Sequence, residues 1–237
     1  MSTTPAVQLA EKLWRIPTMP MSWLNSFAFV DDDGSVTLVD TGIKKAAPKI
    51  VAGLAAIGKH PKDVQRIVLT HAHPDHAGGA AEMASRTGAP VHLHDAEHAW
   101  AEAGEVLARP GETTVLGRLL TRVMKPTYEP FEPGPALRDD EVLPIAGGLR
   151  VVHTPGHSPG HVSLMHEPSG VLVTGDAIVN VGGVRWSPKS LCADFAMSKQ
   201  TAHVLGELDY DVAAFTHGTE IRDNARERVR GFLRAMQ

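Results

Sequence analysis

The sequence predicts a mixed α/β (α+β) protein in which two β-sheets stack face to face and are covered by helices. Strand-like segments form two runs, one in the first third of the chain and one in the last third. Amphipathic helical segments lie between and after these runs, and helices and sheets bury their apolar faces against one another. The 237 residues are enough for one sizeable core. We therefore predict a single domain over residues 1–237.

The first strands form a predicted hairpin. Asn25–Val30 and Ser35–Val39 flank an Asp-Asp-Asp-Gly turn at 31–34, in which the Asp-Gly pair supplies the unusual backbone angles. A cation site at the three aspartates is disfavoured, because these carboxylates have no partner at ligand spacing. An amphipathic helix over Lys45–Ile57 follows and ends at Gly58.

Short strands and helices alternate through the rest of the chain. The apolar strand Arg66–Thr70 leads directly into the segment HAHPDHAGG. In chain order we then predict a helix (Ala80–Thr87), a strand (Pro90–Leu93), two helices (Glu97–Ala108, Thr113–Met124), four strands (Glu141–Ile145, Leu149–His153, Val162–His166, Val171–Thr174), a helix (Ala196–Leu208), a strand (Val212–Phe215) and a helix (Glu220–Met236). The proline-rich stretch KPTYEPFEPGP excludes a regular helix or central strand, so residues 95–140 are predicted to form a partly helical insertion.

Composition excludes several classes of function. A net charge of -4 and a pI near 6.3 give no support for nucleic-acid binding, which usually needs a basic face. Cys192 is the single cysteine, so there is neither a disulfide framework nor a cysteine zinc motif. The amino-terminal segment lacks the features of a secretory signal, and no apolar run is long enough to span a membrane. We expect a cytoplasmic protein without membrane or nucleic-acid partners.

The strongest chemical signal is the segment HAHPDH at residues 71–76, which places three histidines and an aspartate within six residues. Imidazole and carboxylate groups are ligands that suit Zn²⁺. The segment follows an apolar strand directly, so its side chains are predicted to lie on a loop at the strand end. Solvated loop histidines are the alternative interpretation.

Three later segments weaken that alternative. TPGHSPGH at 154–161, TGD at 174–176 and THG at 216–218 each lie at the end of a predicted strand beside glycine. Folds commonly collect functional groups at such rims, where loops carry the side chains and the sheet holds their ends in place. The histidines and aspartates of the four segments are therefore predicted to gather at one edge of the sheets.

HAHPDH, TPGHSPGH, TGDA and THG occur in this order and, with LVDTG at Leu38–Gly42, resemble the signature motifs of the metallo-β-lactamase-fold superfamily. The resemblance spans residues 38 to 218 and implies a four-layer αββα sandwich of two mixed sheets flanked by helices. It implies that one metal is held by His71, His73 and His157, a second by Asp75, His76 and His217, and that Asp176 bridges both. It also implies that Asp40 and His161 support the site without binding metal.

Such a site implies hydrolysis of an acyl bond with two Zn²⁺ ions, with iron or manganese left open. Two divalent ions can share a water and make it nucleophilic near neutral pH, without a covalent protein intermediate. Asp75 and Asp176 are the carboxylates to which we assign the catalytic centre. Lys44 and Cys192 show no sign of activation as nucleophiles and are assigned structural roles.

The motifs are most similar to those of the glyoxalase II-like and lactonase-like branches. Glyoxalase II carries a helical C-terminal domain for glutathione, and the twenty residues after His217 leave no room for it. We therefore expect a small ester, thioester or lactone as substrate. The alternatives are β-lactam hydrolysis and iron-dependent chemistry of the sulfur dioxygenase type. The second alternative would leave one ligand set unexplained.

The insertion at 95–140 is interpreted either as a lid over the metals or as a surface against a second subunit, which leaves a homodimer open. As a lid it would contribute apolar side chains to a small-molecule acyl substrate: Trp100, Met124, Tyr128 and Phe131. Trp23, with Met19 and Met21 before the first predicted strand, is expected to form the opposite wall.

Overall fold

In the computed structural model, which describes residues 4–106 and 127–235, the first sheet has six strands whose spatial order is their chain order. The strands are β1 (Val7–Ala10), β2 (Leu13–Pro17), β3 (Asn25–Val30), β4 (Val36–Val39), β5 (Val64–Val68) and β6 (Val91–His92). Strands β1 to β4 pair antiparallel, whereas β5 and β6 extend the sheet in parallel. The sheet is therefore mixed.

The last third of the chain supplies the second sheet. The strands in this part of the chain are β7 (Val142–Leu143), β8 (Leu149–His153), β9 (Val162–His166), β10 (Val171–Val173), β11 (Ile178–Asn180), β12 (Val184–Trp186) and β13 (Val212–Ala214). Five of them form a sheet in the order β13-β10-β9-β8-β7, in which only the β13–β10 pair is parallel. The other two, β11 and β12, form a separate antiparallel hairpin.

The helices lie between and after the strands along the chain. They are α1 (Ala47–Ala56), α2 (Pro74–Ala77), α3 (Ala80–Thr87), α4 (His98–Ala103), α5 (Phe195–Ala202) and α6 (Ala225–Ala235). Short 3-10 helices are found at Pro20–Ser22, Pro61–Asp63, Asp95–Glu97, Glu167–Ser169, Lys189–Leu191 and His203–Gly206. Among the described residues, none of the helices combines the length and the apolar character needed to cross a bilayer.

Alternation along the strands separates the layers, because successive side chains of a strand point to opposite faces of its sheet. On β3, Phe27 and Phe29 belong to the core between the two sheets, whereas Ala28 and Val30 belong to the core on the outer face. The second sheet contributes buried aliphatic residues to the inner core: Val151, Val162, Leu164, Val171, Val173, Val212 and Ala214.

Helices cover both outer faces. Buried residues of α1, α3 and α4 join the outer core of the first sheet, and those of α5 and α6 join the outer core of the second. Ile50 and Leu54 represent the first group, and Val229 and Leu233 the second. This arrangement confirms the predicted four-layer αββα sandwich of two mixed sheets.

Some boundaries differ from the prediction. The sequence predicts that the last helix starts at Glu220, but the helix begins at Ala225. Ile221 pairs instead with Ala213 of β13 through two backbone hydrogen bonds, and Asn224 has a positive φ of 52° that interrupts a helix. Strands β1 and β2 and the β11–β12 hairpin are not among the predicted elements.

The described residues at both ends of the predicted insertion pair with or pack against the main fold. Val91 and His94 form isolated parallel bridges with Pro133 and Leu137, and Leu137 is buried in the core between the sheets. The predicted helix Glu97–Ala108 is observed only over His98–Ala103, as α4, because Gly104 adopts a left-handed φ of 64° and ends it. The predicted helix Thr113–Met124 lies outside the described residues. The proline-rich stretch forms no regular strand where it is described, as predicted.

Candidate metal centre

Seven side chains of the predicted motifs meet at one edge of the two sheets. They come from the loop and helical turn after β5, the loop between β8 and β9, and the ends of β10 and β13. Pro74 begins the helical turn α2, a position that its fixed φ favours. Three overlapping groups have ligand atoms within 4.8 Å of one another: His71, His73 and His157; His71, His76 and Asp176; Asp75, His76 and His217.

The spacing within the first group suits a metal ion. Around a tetrahedral zinc ion with bonds of about 2.0–2.1 Å, ligand atoms lie roughly 3.3 Å apart. His157 Nε2 lies 2.9 Å from His73 Nδ1 and 3.4 Å from Asp176 Oδ2. Burial lowers the pKa of His73 to about 4, and it also lowers the pKa values of His71 and His157. These neutral rings keep lone pairs available for an ion.

The group of Asp75, His76 and His217, called the second group from here on, has similar spacing but a different charge. His217 Nε2 lies 3.3 Å from His76 Nε2 and 3.4 Å from Asp75 Oδ2. Burial alone would lower the pKa of His217, but the carboxylates of Asp176 and Asp75 raise it to about 10. The pKa of His76 is raised against burial by Asp176, Asp75 and Asp40. A metal ion at this group would therefore displace protons from the two histidines.

Asp176 lies between the two groups. Its Oδ1 is 3.4 Å from His76 Nε2, and its Oδ2 is 3.4 Å from the Nε2 atoms of both His157 and His217. Within the part of the chain that the structure describes, buried His71 Nε2 has no hydrogen-bond partner. A buried polar atom without a protein partner is rare and calls for an explanation such as metal coordination. The donor set, its spacing and this nitrogen all fit metal binding.

The outer ring nitrogens of His76 and His217 are held by other protein groups, which fixes the orientation of a ligand histidine. Asp40 Oδ2 lies 2.8 Å from His76 Nδ1, and Asp40 also accepts the Thr70 backbone N–H at 2.8 Å. His217 Nδ1 donates to the carbonyl oxygen of Trp23 at 2.7 Å. The structure thus places Asp40 behind His76, and its supporting role in metal binding stays a prediction.

His161 lies behind the bridging carboxylate. Its Nε2 accepts the backbone N–H of Asp176 at 2.7 Å, and its Nδ1 donates to the carbonyl oxygen of Thr154 at 3.1 Å. Burial lowers the pKa of His161 to about 3, so the ring is neutral. Both ring nitrogens are occupied by the protein, which leaves none for a metal. The structure therefore places His161 as a support for the Asp176 backbone.

Sequence reasoning missed Glu97. The side chain is fully buried, and its carboxylate accepts hydrogen bonds from the backbone N–H groups of Ala72 and Gly160 and from the Ser158 hydroxyl. Burial raises the pKa of Glu97 to about 7. A single glutamate in the segment DAEH looks like a solvated acid, so no local signal distinguishes it.

The predicted substrate-contacting residues have different environments. Trp23 is 54% exposed, whereas Trp100 is buried and its ring stacks on that of His73 with centroids 6.1 Å apart. Tyr128 is buried, with its ring 6.1 Å from that of Phe131. Met124 lies outside the described residues. Contact with substrate remains a prediction for all five.

Cys192 also lies beside the centre. Its sulfur is 3.7 Å from His157 Nδ1, and the side chain is buried. Burial, reinforced by the negative charge of Asp176, raises the pKa of the thiol to about 11. The thiol therefore stays protonated at neutral pH, and the structural role of Cys192 stays a prediction.

Cys192 should consequently react slowly with thiol reagents in the folded protein. At pH 8 its thiolate fraction should be about 200-fold lower than that of a free cysteine with a pKa near 8.5, and burial slows attack further. The measurement is the rate of labelling by a chromogenic disulfide, with guanidinium-unfolded protein as the control. Labelling of the folded protein within about tenfold of the unfolded rate would contradict the assignment.

A four-layer αββα fold with a histidine and aspartate cluster at one sheet edge defines the class of this protein, and comparisons agree. The metallo-beta-lactamase superfamily profile matches residues 23–217. Probable metallo-hydrolase YybB of Bacillus subtilis (strain 168) is 29% identical over 197 residues, which are 83% of this chain and 81% of the relative. N-acyl homoserine lactonase of Bacillus cereus is 33% identical over 132 residues, covering 54% of this chain and 44% of the lactonase.

A solved structure of similar fold also comes from this superfamily. The metallo-beta-lactamase family protein of Thermus thermophilus has a TM-score of 0.74 and 30% identity, with coverage of 96% of this chain and 80% of that chain. The chain belongs to the metallo-beta-lactamase superfamily.

Proposed function

We propose that this protein is a metal-dependent hydrolase that binds two Zn²⁺ ions and cleaves the acyl bond of a small ester, thioester or lactone. The observation that carries the proposal is the position of Asp176, whose carboxylate lies 3.4 Å from nitrogens of both ligand groups. One carboxylate shared between two sets of ligands is suited to two adjacent ions. The metal-binding roles follow the two groups described above, with Asp176 between them.

Bound divalent ions would supply Lewis-acid chemistry, activating a water and polarising the substrate carbonyl. The protein's own contribution is orientation. Asp40 and the Trp23 carbonyl hold the outer nitrogens of His76 and His217, so that both Nε2 atoms face the interior of the cluster. His161 fixes the backbone at Asp176.

Exposure indicates the side from which substrate approaches. The Asp75 side chain is 40% exposed and that of His217 is 22% exposed, whereas Asp176 is 6% exposed. The centre is therefore open over Asp75 and His217. Trp23 adjoins this opening through its contact with His217, and its exposed indole offers an apolar surface for an acyl group.

The lactonase among the relatives supports an acyl substrate, although the match spans less than half of its length. We expect the zinc-loaded protein to hydrolyse one class of a panel far faster than the others. The panel contains thioesters, N-acyl homoserine lactones, aryl esters and a β-lactam, and initial rates are the measurement.

Two variants control the panel. Asp176→Ala, which removes the shared carboxylate, gives the blank, and Glu82→Ala replaces an acid that pairs with Arg86 outside the centre and should keep the wild-type rates. Preference for an ester, thioester or lactone supports the proposal. Rates on all of these equal to the Asp176→Ala blank would refute it, and a β-lactam as the preferred substrate would correct the substrate class.

A further inference from the structure

Glu97 connects two loops that are far apart in the sequence. It ends the 3-10 helix Asp95–Glu97, shortly after β6, and its side chain is fully buried. One carboxylate oxygen accepts the backbone N–H of Ala72. The other accepts the backbone N–H of Gly160 at 2.9 Å and the hydroxyl of Ser158. Three donors from two loops therefore converge on one carboxylate.

The positions of these donors relate the carboxylate to the metal centre. Ala72 lies between His71 and His73, whereas Ser158 directly follows His157. These three histidines form the first ligand group. Glu97 thus fixes the backbone on both sides of that group, although it does not itself belong to any group of potential ligands in the described part of the chain.

The contact is close as well as polar. A Cβ atom added at Gly160 would lie 2.9 Å from Glu97 Cγ, so the loop approaches the glutamate as closely as its backbone allows. Burial of a carboxylate is costly unless hydrogen bonds compensate for lost water. Here the compensation comes from the two ligand-bearing loops. Separation of the loops would therefore leave a buried charge without partners.

Trp100, three residues after Glu97, also contacts the first ligand group. It lies on α4, which follows Glu97 directly, and its ring stacks on that of His73 with an interplanar angle of 13°. The start of the predicted insertion therefore contacts the loops of the first ligand group through a buried carboxylate, and His73 itself through an aromatic ring.

We propose that Glu97 is a positioning residue that sets the geometry of the His71, His73 and His157 site and hence its affinity for metal. This inference rests on the proposed metal binding, but it does not depend on which substrate is hydrolysed. Partners that orient metal ligands from outside the coordination sphere typically contribute about 10–100-fold in metal affinity. Glu97 is expected to fall in this range.

The informative substitution is Glu97→Gln, which keeps the size of the side chain. A carboxylate offers acceptors to both loops, whereas an amide has one oxygen and one N–H₂ group. In either orientation the N–H₂ group faces a backbone N–H, of Ala72 or of Gly160, so the hydrogen bond to one of these two backbone groups is lost. We expect zinc affinity at the first site to fall by about 10–100-fold.

The first site is best measured alone. In a His217→Ala background the second ligand group is incomplete, and zinc affinity is read by competition with a chromophoric chelator, with and without Glu97→Gln. Glu102→Gln is the matched control, because Glu102 is an exposed glutamate on α4, the helix that directly follows Glu97. It should leave the affinity unchanged. Circular dichroism of the metal-free proteins reports whether each variant folds.

Ser158→Ala serves if Glu97→Gln does not fold, because it removes one donor and keeps the carboxylate. It should weaken zinc at the first site several-fold without unfolding the protein. A lower melting temperature of the metal-free protein with unchanged zinc affinity, in whichever variant folds, would overturn the inference and leave Glu97 a purely structural residue. If the protein without substitutions binds no zinc, the proposed function itself fails.

Discussion

Replacing Asp176 with alanine should remove both bound metal ions and abolish hydrolysis. The carboxylate is the group nearest to both ligand sets, with oxygen atoms 3.4 Å from the Nε2 atoms of His76, His157 and His217. Its loss takes one oxygen ligand from each set and removes the negative charge between two cations. A direct ligand should matter more than a supporting residue, so we expect zinc affinity to fall by more than about 100-fold.

The measurement is metal content after removal of metal by chelation and reloading with zinc, together with the turnover of the preferred substrate. Asp209→Ala is a suitable control, because Asp209 is an exposed aspartate that pairs with Arg226 away from the centre. It should retain two ions and the full rate. Two ions and full turnover in Asp176→Ala would show that the shared carboxylate is not required.

Where a local signal exists, the sequence predicts the fold closely. Helix α3 has the predicted bounds, Ala80–Thr87, because Gly88 adopts the left-handed conformation that commonly ends a helix. Strands β8 and β9 also have their predicted bounds, since each is a short run rich in β-branched or aliphatic residues.

The strands that the sequence did not predict lack a clear local pattern, and β2 is an example. In β2 the alternation is obscured by Arg15, which is buried because it pairs with Glu220 at 2.9 Å and donates to the Asn25 side chain. Glu220 is 205 positions away. A window of neighbouring residues contains nothing to indicate that this arginine is inside, so tertiary contacts decide the element.

In the candidate site, too, residues with a local sequence signal could be predicted and residues placed by tertiary contacts could not. The seven motif residues could be identified because each lies at a strand end, and the structure brings their ligand atoms together. Metal binding by them remains a prediction. Glu97 could not be identified, because its donors are two backbone groups and a hydroxyl that become neighbours only after folding.

Gly218→Ala should be strongly destabilising for so small a substitution near the centre. Gly218 has a φ of +104°, and an added Cβ would lie 2.0 Å from the carbonyl oxygen of Asn180 on β11. Backbone strain and overpacking each cost about 1–3 kcal/mol, so the free energy of unfolding should fall by about 3–5 kcal/mol. Denaturant unfolding of the metal-free protein measures this change.

The matched control is Gly88→Ala. Gly88 also has a positive φ, +76°, but an added Cβ would meet no atom within 4 Å. Its substitution carries the left-handed strain alone and should cost about 1–2 kcal/mol. The difference between the two variants therefore isolates the close approach of the 216–218 loop to β11. Equal decreases in the free energy of unfolding for the two variants would mean that the 216–218 loop can move away from Asn180 at no cost.

Such freedom would matter for the metal centre, because Gly218 adjoins His217 and shares its anchoring. The Gly218 backbone N–H donates to the carbonyl oxygen of Ser22, and its own carbonyl oxygen accepts from the Asn25 side chain at 2.8 Å. His217 Nδ1 donates to the carbonyl of Trp23. A shift of the loop that relieves the clash must therefore displace His217 from His76 and Asp75. Gly218→Ala should weaken zinc at the second ligand group and leave the first group, which lies on other loops, with its original affinity.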